Sequence, residues 1–231
     1  MSKQWTNILS LIRHGENPAN VNHQFSYKHV DYSLNAKGRL QAQQTADYLA
    51  NQPLDEIYAS PLKRAHETAD YIAQAHQLPI TIDERFREIH VGAMETYLPT
   101  AENWDEHNRI VAEWFGGNHT LAFPAGENYI ELLARFRAAL RDATSGKEGK
   151  HIAIVAHGGI FTHTLHDICP DLDVRPLLLQ LNHNCSITRI ALTTDEERVY
   201  GTLLQWADYS HLHGEAANFV AGIPTDEQIA L

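Results

Sequence analysis

Ile8-Leu9-Ser10-Leu11-Ile12-Arg13-His14-Gly15-Glu16 decides how this chain is read. The run 8–12 is short and apolar and reads as a buried strand. It ends in a guanidinium, an imidazole and a glycine just before polar sequence begins. Those groups therefore fall at the C-terminal edge of a sheet, where open α/β folds bind ligands. Val155-Ala156-His157-Gly158-Gly159 repeats the design, an apolar strand followed by His-Gly.

Working outward, short apolar runs at 8–12, 56–60, 80–82, 151–156, 186–192 and 199–205 read as strands. Helical patterns occupy 36–51, 61–76, 128–144 and 159–168, with Pro61 at a helix start where it costs no hydrogen bond. Strands alternating with helices predict an α/β three-layer sandwich, a mostly parallel central sheet flanked by helices. The interval 89–124 follows Glu88, shows only weak helical periodicity, and reads as a lid-like insertion in which Trp104, Trp114 and Phe115 pack over the sheet edge. The tail 209–231 reads as a loosely attached arm or an oligomer contact. Nothing marks a boundary, so residues 1–231 are taken as one domain, without repeats or low-complexity segments.

The 231 residues are 43% hydrophobic and 20% charged, as in an ordinary globular protein. A net charge of −11 argues against a nucleic-acid partner or a polybasic membrane anchor. The N-terminus lacks an apolar signal core, and no stretch has the length of a transmembrane helix, which predicts a cytoplasmic protein. Cys169 and Cys185 cannot build a disulfide framework and lack metal-ligand spacing; Cys185 reads as a small buried hydrophobe. His66, His76 and His211 read as surface residues, and His23, His29 and His90 as loop histidines near the site.

Four segments place polar groups past strand ends: Arg13, His14, Glu16 and Asn20; Arg64 in Ser60-Pro61-Leu62-Lys63-Arg64-Ala65; Glu88 in Phe86-Arg87-Glu88-Ile89; and His157 with Gly158. Two guanidiniums match phosphate oxygens, and a helix start after His157 adds backbone N–H donors. An imidazole inside such an anion pocket can attack phosphorus. A carboxylate can protonate the leaving alkoxide and then deprotonate water.

These residues resemble the motifs of the histidine phosphatase superfamily, also called the phosphoglycerate mutase-like family, from Leu9 to about Leu192. Arg13-His14-Gly15-Glu16 is similar to its signature, and Ser60-Pro61-Leu62-Lys63-Arg64-Ala65-His66-Glu67-Thr68-Ala69 to its second arginine motif. The segment 31–38 resembles its Asp-x-Pro-Leu-Thr-x-x-Gly stretch, with Ser33 and Asn35 departing from it. Gly126-Glu127-Asn128 and Asn184-Cys185-Ser186 resemble two further motifs. The resemblance implies His14 as the nucleophile, Glu88 as acid and base, His157 as a catalytic phosphoryl contact, and Arg13, Arg64, Asn20 and Gly158 as phosphate-binding groups. Glu16 is implied to orient the site. It implies no metal and no other cofactor, and a small phosphate ester as the partner.

Within that family, mutases generally carry an arginine after the acid glutamate, where this chain has Ile89, and another beyond the second histidine, where it has Ile160-Phe161-Thr162. Losing both favours hydrolysis over phosphoglycerate mutase-type transfer, and the apolar and aromatic content of Phe161, Thr162 and the segment 97–123 points to a leaving group less charged than a bisphosphate. A catalytically silent phosphate-ester-binding protein is disfavoured because Arg13, His14, Arg64, Glu88 and His157 are all present.

Overall fold

The computed structural model describes residues 3–173 and 181–220. Six strands form one sheet: β1 (Trp5–Arg13), β2 (Glu56–Ala59), β3 (Ile80–Ile82), β4 (His151–Ala156), β5 (Ile187–Thr194) and β6 (Val199–Asp208). Their order across the sheet is β3-β2-β4-β1-β5-β6. The helices are α1 (Pro18–Val21), α2 (Ala36–Leu49), α3 (Lys63–His76), α4 (Ala101–Phe115), α5 (Tyr129–Thr144) and α6 (Gly158–Ile168). Among the described residues no helix is long and apolar enough to cross a membrane.

Strand periodicity sorts the side chains into two cores. Ile12, Ala153 and Val155 join Ala46 and Leu49 of α2 and Ala65, Ala69 and Ile72 of α3. Leu9, Leu11, Ile152, Ile154 and Ala156 join Leu132 and Phe136 of α5 and Phe161 and Leu165 of α6. Successive residues of one strand thus face opposite layers, which is the period-two rule applied to a sheet covered on both sides. This is the expected three-layer α/β architecture.

The sheet is mixed. Strands β3, β2, β4 and β1 are parallel, but β5 pairs antiparallel with β1 and β6 antiparallel with β5. Only residues 195–198 join β5 to β6, and a parallel crossover needs a dozen residues or more, so that pair had to be a hairpin.

Three expectations need correction. Pro61 lies in the turn before α3, which begins at Lys63 with Leu62 as its N-cap. The 89–124 interval holds a four-turn helix, α4, that weak periodicity did not predict. The tail is not loose over 209–220: Leu212 and Ala216 are buried against Leu34, Ala42 and Cys185, and the Ala216 carbonyl accepts from Gln41 Nε2 at 3.0 Å. The remainder of the arm, 221–231, lies outside the described residues. Cys185 is fully buried as expected, although it sits in the turn before β5 at φ 59° with its thiol pushed up to about 12 by burial.

Candidate active site

The sheet register brings the two histidines together. Parallel pairing sets Arg13 of β1 against Ala156 of β4, so the next residues, His14 and His157, leave adjacent strands side by side. Their ring centroids are 5.2 Å apart, and both rings are buried. His14 Nδ1 lies 2.7 Å from the Gly15 carbonyl, which can only accept, so the proton sits on Nδ1 and Nε2 carries the lone pair. Arg64 Nε donates to that Nε2 at 3.0 Å. Burial, then the positive charges of Arg64 and Arg13, holds the His14 ring well below its ordinary pKa, so it is neutral near pH 7. His157 is depressed in the same way, by burial first and then by Arg64. Its Nε2 is 2.7 Å from Ser60 Oγ, and its Nδ1 has no hydrogen-bond partner among the described residues.

Arg64 leaves the first turn of α3, where all three sides of its guanidinium are engaged. Besides His14, Nη1 donates to Ser26 Oγ at 2.7 Å and Nη2 to the Ser26 carbonyl at 2.8 Å. Burial lowers this group to about 10, so it stays charged at neutral pH. The loop bearing Ser26 is itself fastened: the N–H groups of Tyr27, Lys28, His29 and Val30 all donate to Glu95 Oε1, at 2.6–3.1 Å. Arg13 reaches the Asn182 carbonyl through Nη1, while its buried Nε has no hydrogen-bond partner among the described residues.

Glu88 faces the start of α6. Its Oε1 accepts from Ile89 N at 2.9 Å and Ile160 N at 2.8 Å, and its Oε2 from Gly159 N at 3.0 Å. A carboxylate at a helix N-terminus meets both orphan donors and a favourable dipole. The contact requires glycine: a Cβ on Gly159 would lie 2.6 Å from Glu88 Oε1. The chain around Glu88 is held by Arg135, which donates to the carbonyls of Arg85, Arg87 and Glu88 and pairs with Glu127 at 2.7 Å.

Asn20 Oδ1 closes a reciprocal cap with Asn17 and accepts from Asn184 Nδ2, which also donates to the His14 carbonyl. Glu16 is directed away from the imidazoles, to Asn35 Nδ2 at 2.8 Å and Lys37 Nζ at 2.9 Å. Asn35, a departure from the family pattern, still caps α2 by accepting from Gly38 N.

Every predicted catalytic or phosphate-binding residue except His157 lines one cavity of about 460 Å³, and the His157 ring lies 5.2 Å from that of His14, which does line it; Glu16 is not among the lining residues. Sequence reasoning missed Ser26, Glu95 and Arg135, which lack a motif of their own. It also missed His107, His163 and His183, which line the cavity. His23 lines it too, rather than being a solvated loop residue. His211 is not a surface residue: it bonds Thr45 at 3.0 Å, stacks on Tyr48, and is lowered to about 4 by burial. Among the described residues no three His, Cys, Asp or Glu side chains are grouped to hold a metal ion.

The family model for the histidine phosphatase superfamily (branch 1) matches residues 9–204. The probable phosphoglycerate mutase GpmB of Escherichia fergusonii is 32% identical over 215 residues, covering 89% of this chain and 95% of that protein. Phosphoglycerate mutase-like protein 4 of Arabidopsis thaliana is 32% identical over 211 residues, covering 88% and 86%. Among solved structures, YhfR of Bacillus stearothermophilus superimposes with a TM-score of 0.72 at 28% identity, covering 89% and 98%. A mycobacterial glucosyl-3-phosphoglycerate phosphatase bound to VO3 gives 0.70 at 26% identity, covering 86% and 98%. With paired histidines at adjacent strand ends, Arg13 and Arg64 beside them and a family match spanning most of its length, the chain belongs to the histidine phosphatase superfamily.

Proposed function

We propose that this protein is a metal-independent phosphomonoesterase that works through a phosphohistidine on His14. The observation that carries the reading is the Nδ1–H bond from His14 to the Gly15 carbonyl, which leaves Nε2 unprotonated inside a pocket with two arginines. Nε2 attacks phosphorus while the ester P–O bond breaks, and Glu88 gives a proton to the departing oxygen. Water then attacks the phosphohistidine, Glu88 takes a proton from it, and the N–P bond breaks to release phosphate. Arg13, Arg64, Asn20, the Gly158 N–H and the Nδ1–H of His157 hold the phosphoryl oxygens as charge builds. In this reading Ser60, 2.7 Å from Nε2 of His157, donates to that nitrogen and so leaves the ring proton on Nδ1.

Hydrolysis is favoured over intramolecular transfer by the charges of the cavity. Arg13 and Arg64 are the only arginine or lysine side chains among its described lining residues. A mutase must also hold a second anionic group while its substrate turns over. The likeness to probable phosphoglycerate mutases supports the transfer reading instead. Phosphate release from a panel of phosphomonoesters, with and without EDTA, decides between them when 3-phosphoglycerate with catalytic 2,3-bisphosphoglycerate is included. The proposal expects EDTA-insensitive release; conversion to 2-phosphoglycerate without release overturns it.

A further inference from the structure

Building on that phosphatase reading, we propose that the leaving group is a large, uncharged, ring-bearing alcohol that lies along one face of α4. Six residues of this helix line the cavity: Trp104, His107, Asn108, Val111, Ala112 and Phe115. They recur at steps of three and four, so they form a single stripe, and at 1.5 Å per residue it runs for about 16 Å. Ile110 and Trp114, both buried, anchor the helix to the core. The charged side chains of α4, at Glu102, Asp105, Glu106, Arg109 and Glu113, all fall outside the stripe.

The stripe is mostly aromatic and aliphatic, and none of its side chains carries a fixed charge. Trp104 spends its indole N–H on the His23 carbonyl at 2.9 Å and packs on Phe25 at 4.3 Å between centroids, leaving aromatic surface for a ligand. His107 lies among Phe25, Trp104 and Phe123. Burial lowers the His107 ring below its ordinary range and His163, across the cavity on α6, to about 3, so neither supplies a cation at neutral pH. Phe25, Ile89, Val91 and Leu181 complete the apolar lining. The two guanidiniums among the described lining residues are already engaged, Arg64 with His14 and Ser26, and Arg13 with the Asn182 carbonyl.

A carboxylate or second phosphate placed along α4 would lose water and meet no free counter-charge among the described residues of the lining, which is costly. A ring would bury its faces against aromatic and aliphatic side chains at a gain. Asn108 and Thr162 supply neutral hydrogen-bonding groups for hydroxyls on that ring.

The test compares alkyl esters whose leaving groups have similar basicity: 2-(1-naphthyl)ethyl phosphate, glycerol 3-phosphate and 3-phosphoglycerate. The proposal expects kcat/KM for the naphthyl ester to exceed that for glycerol 3-phosphate by at least about tenfold, with 3-phosphoglycerate lowest. The matching phosphonates, titrated by calorimetry, should bind in the same order. That ranking needs no turnover: no hydrolysis with the ranking kept sinks the phosphatase reading alone, and equal phosphonate affinities sink the leaving-group inference alone. Phe115→Arg and, deeper in the stripe, Val111→Lys should each shift the naphthyl-to-phosphoglycerate ratio toward the anionic ester by about tenfold or more. An unchanged ratio in both variants, or 3-phosphoglycerate as the best wild-type substrate, overturns the proposal.

Discussion

Arg64 donates its Nε–H to the Nε2 of His14 across 3.0 Å. A permanently charged group thus occupies the lone pair of the proposed nucleophile at rest and opposes its protonation. When a phosphoryl group arrives, the guanidinium can turn its donor to a phosphoryl oxygen, and the lone pair is free to attack. The expected outcome is a His14 ring that stays neutral, with the proton on Nδ1, as pH falls through the ordinary histidine range. Nitrogen-15 NMR of the imidazole reads this directly. A ring titrating near the ordinary histidine value would contradict it.

Glu88→Gln keeps hydrogen-bond acceptance at one atom but removes the transferable proton. Turnover of alkyl phosphates should fall by about 100-fold or more, and turnover of aryl phosphates much less, because a good leaving group needs little protonation. Steady-state kinetics on both classes checks this. Equal losses would remove Glu88 from the acid role.

The two glycines at the start of α6 should respond differently to alanine. On Gly159 the new methyl would lie 2.6 Å from Glu88 Oε1, whereas on Gly158 it meets the Arg13 side chain at 3.3 Å. Gly159→Ala should displace Glu88 and lower kcat at least about tenfold, with Gly158→Ala the milder of the two. Both should keep a native circular dichroism spectrum. The reverse order of activity would contradict the placement of Glu88 against this turn.

Glu95 ties the 27–30 loop to the site at a distance. Burial works against its charge, but the backbone N–H groups of Lys28, His29, Tyr27 and Val30 outweigh it and hold the carboxyl below its ordinary pKa. Its contribution is therefore present above the ordinary carboxylate range and is lost as pH falls through the lowered value. Glu95→Ala should cost about 2 kcal/mol of stability. Because Ser26 at the start of this loop binds two nitrogens of Arg64, the same change should raise KM for phosphate esters. Loss of stability without any change in KM would show that the loop does not position Arg64.

Acid should destabilise the fold through its buried histidines as well. His14, His157, His163 and His211 all have lowered pKa values in the folded chain. The unfolded chain binds more protons between those values and the ordinary histidine pKa, so stability falls as pH drops below about 6.5. Thermal melting should show a Tm that declines from pH 7 to pH 5, with a shallower decline in His211→Gln. A decline of the same slope in that variant would remove His211 as a contributor.

The parts of the fold carried by local pattern were legible in the sequence. The apolar runs ending at Arg13 and Ala156 named their strands, and the register of those strands explains why His14 and His157 meet. The short 195–198 link implied the β5–β6 hairpin, yet alternation of strands and helices drew attention to parallel pairing instead. Helix α4 escaped because its inward stripe mixes Trp104, His107, Asn108 and Ala112, a surface shaped for a cavity rather than a uniform core. Counting positions three and four apart would have found it. Ser26, Glu95 and Arg135 were hidden for another reason: they act through backbone groups of distant segments, and only the folded chain brings those together.

The most direct test of the account is acid-free denaturation of the enzyme during turnover of a 32P-labelled phosphomonoester, followed by mapping of the label. The account predicts base-stable, acid-labile phosphate on His14 in the wild type, accumulating further where water attack is slow, and none in His14→Ala. Turnover by His14→Ala at a rate near that of the wild type, or label confined to any other residue, would contradict it.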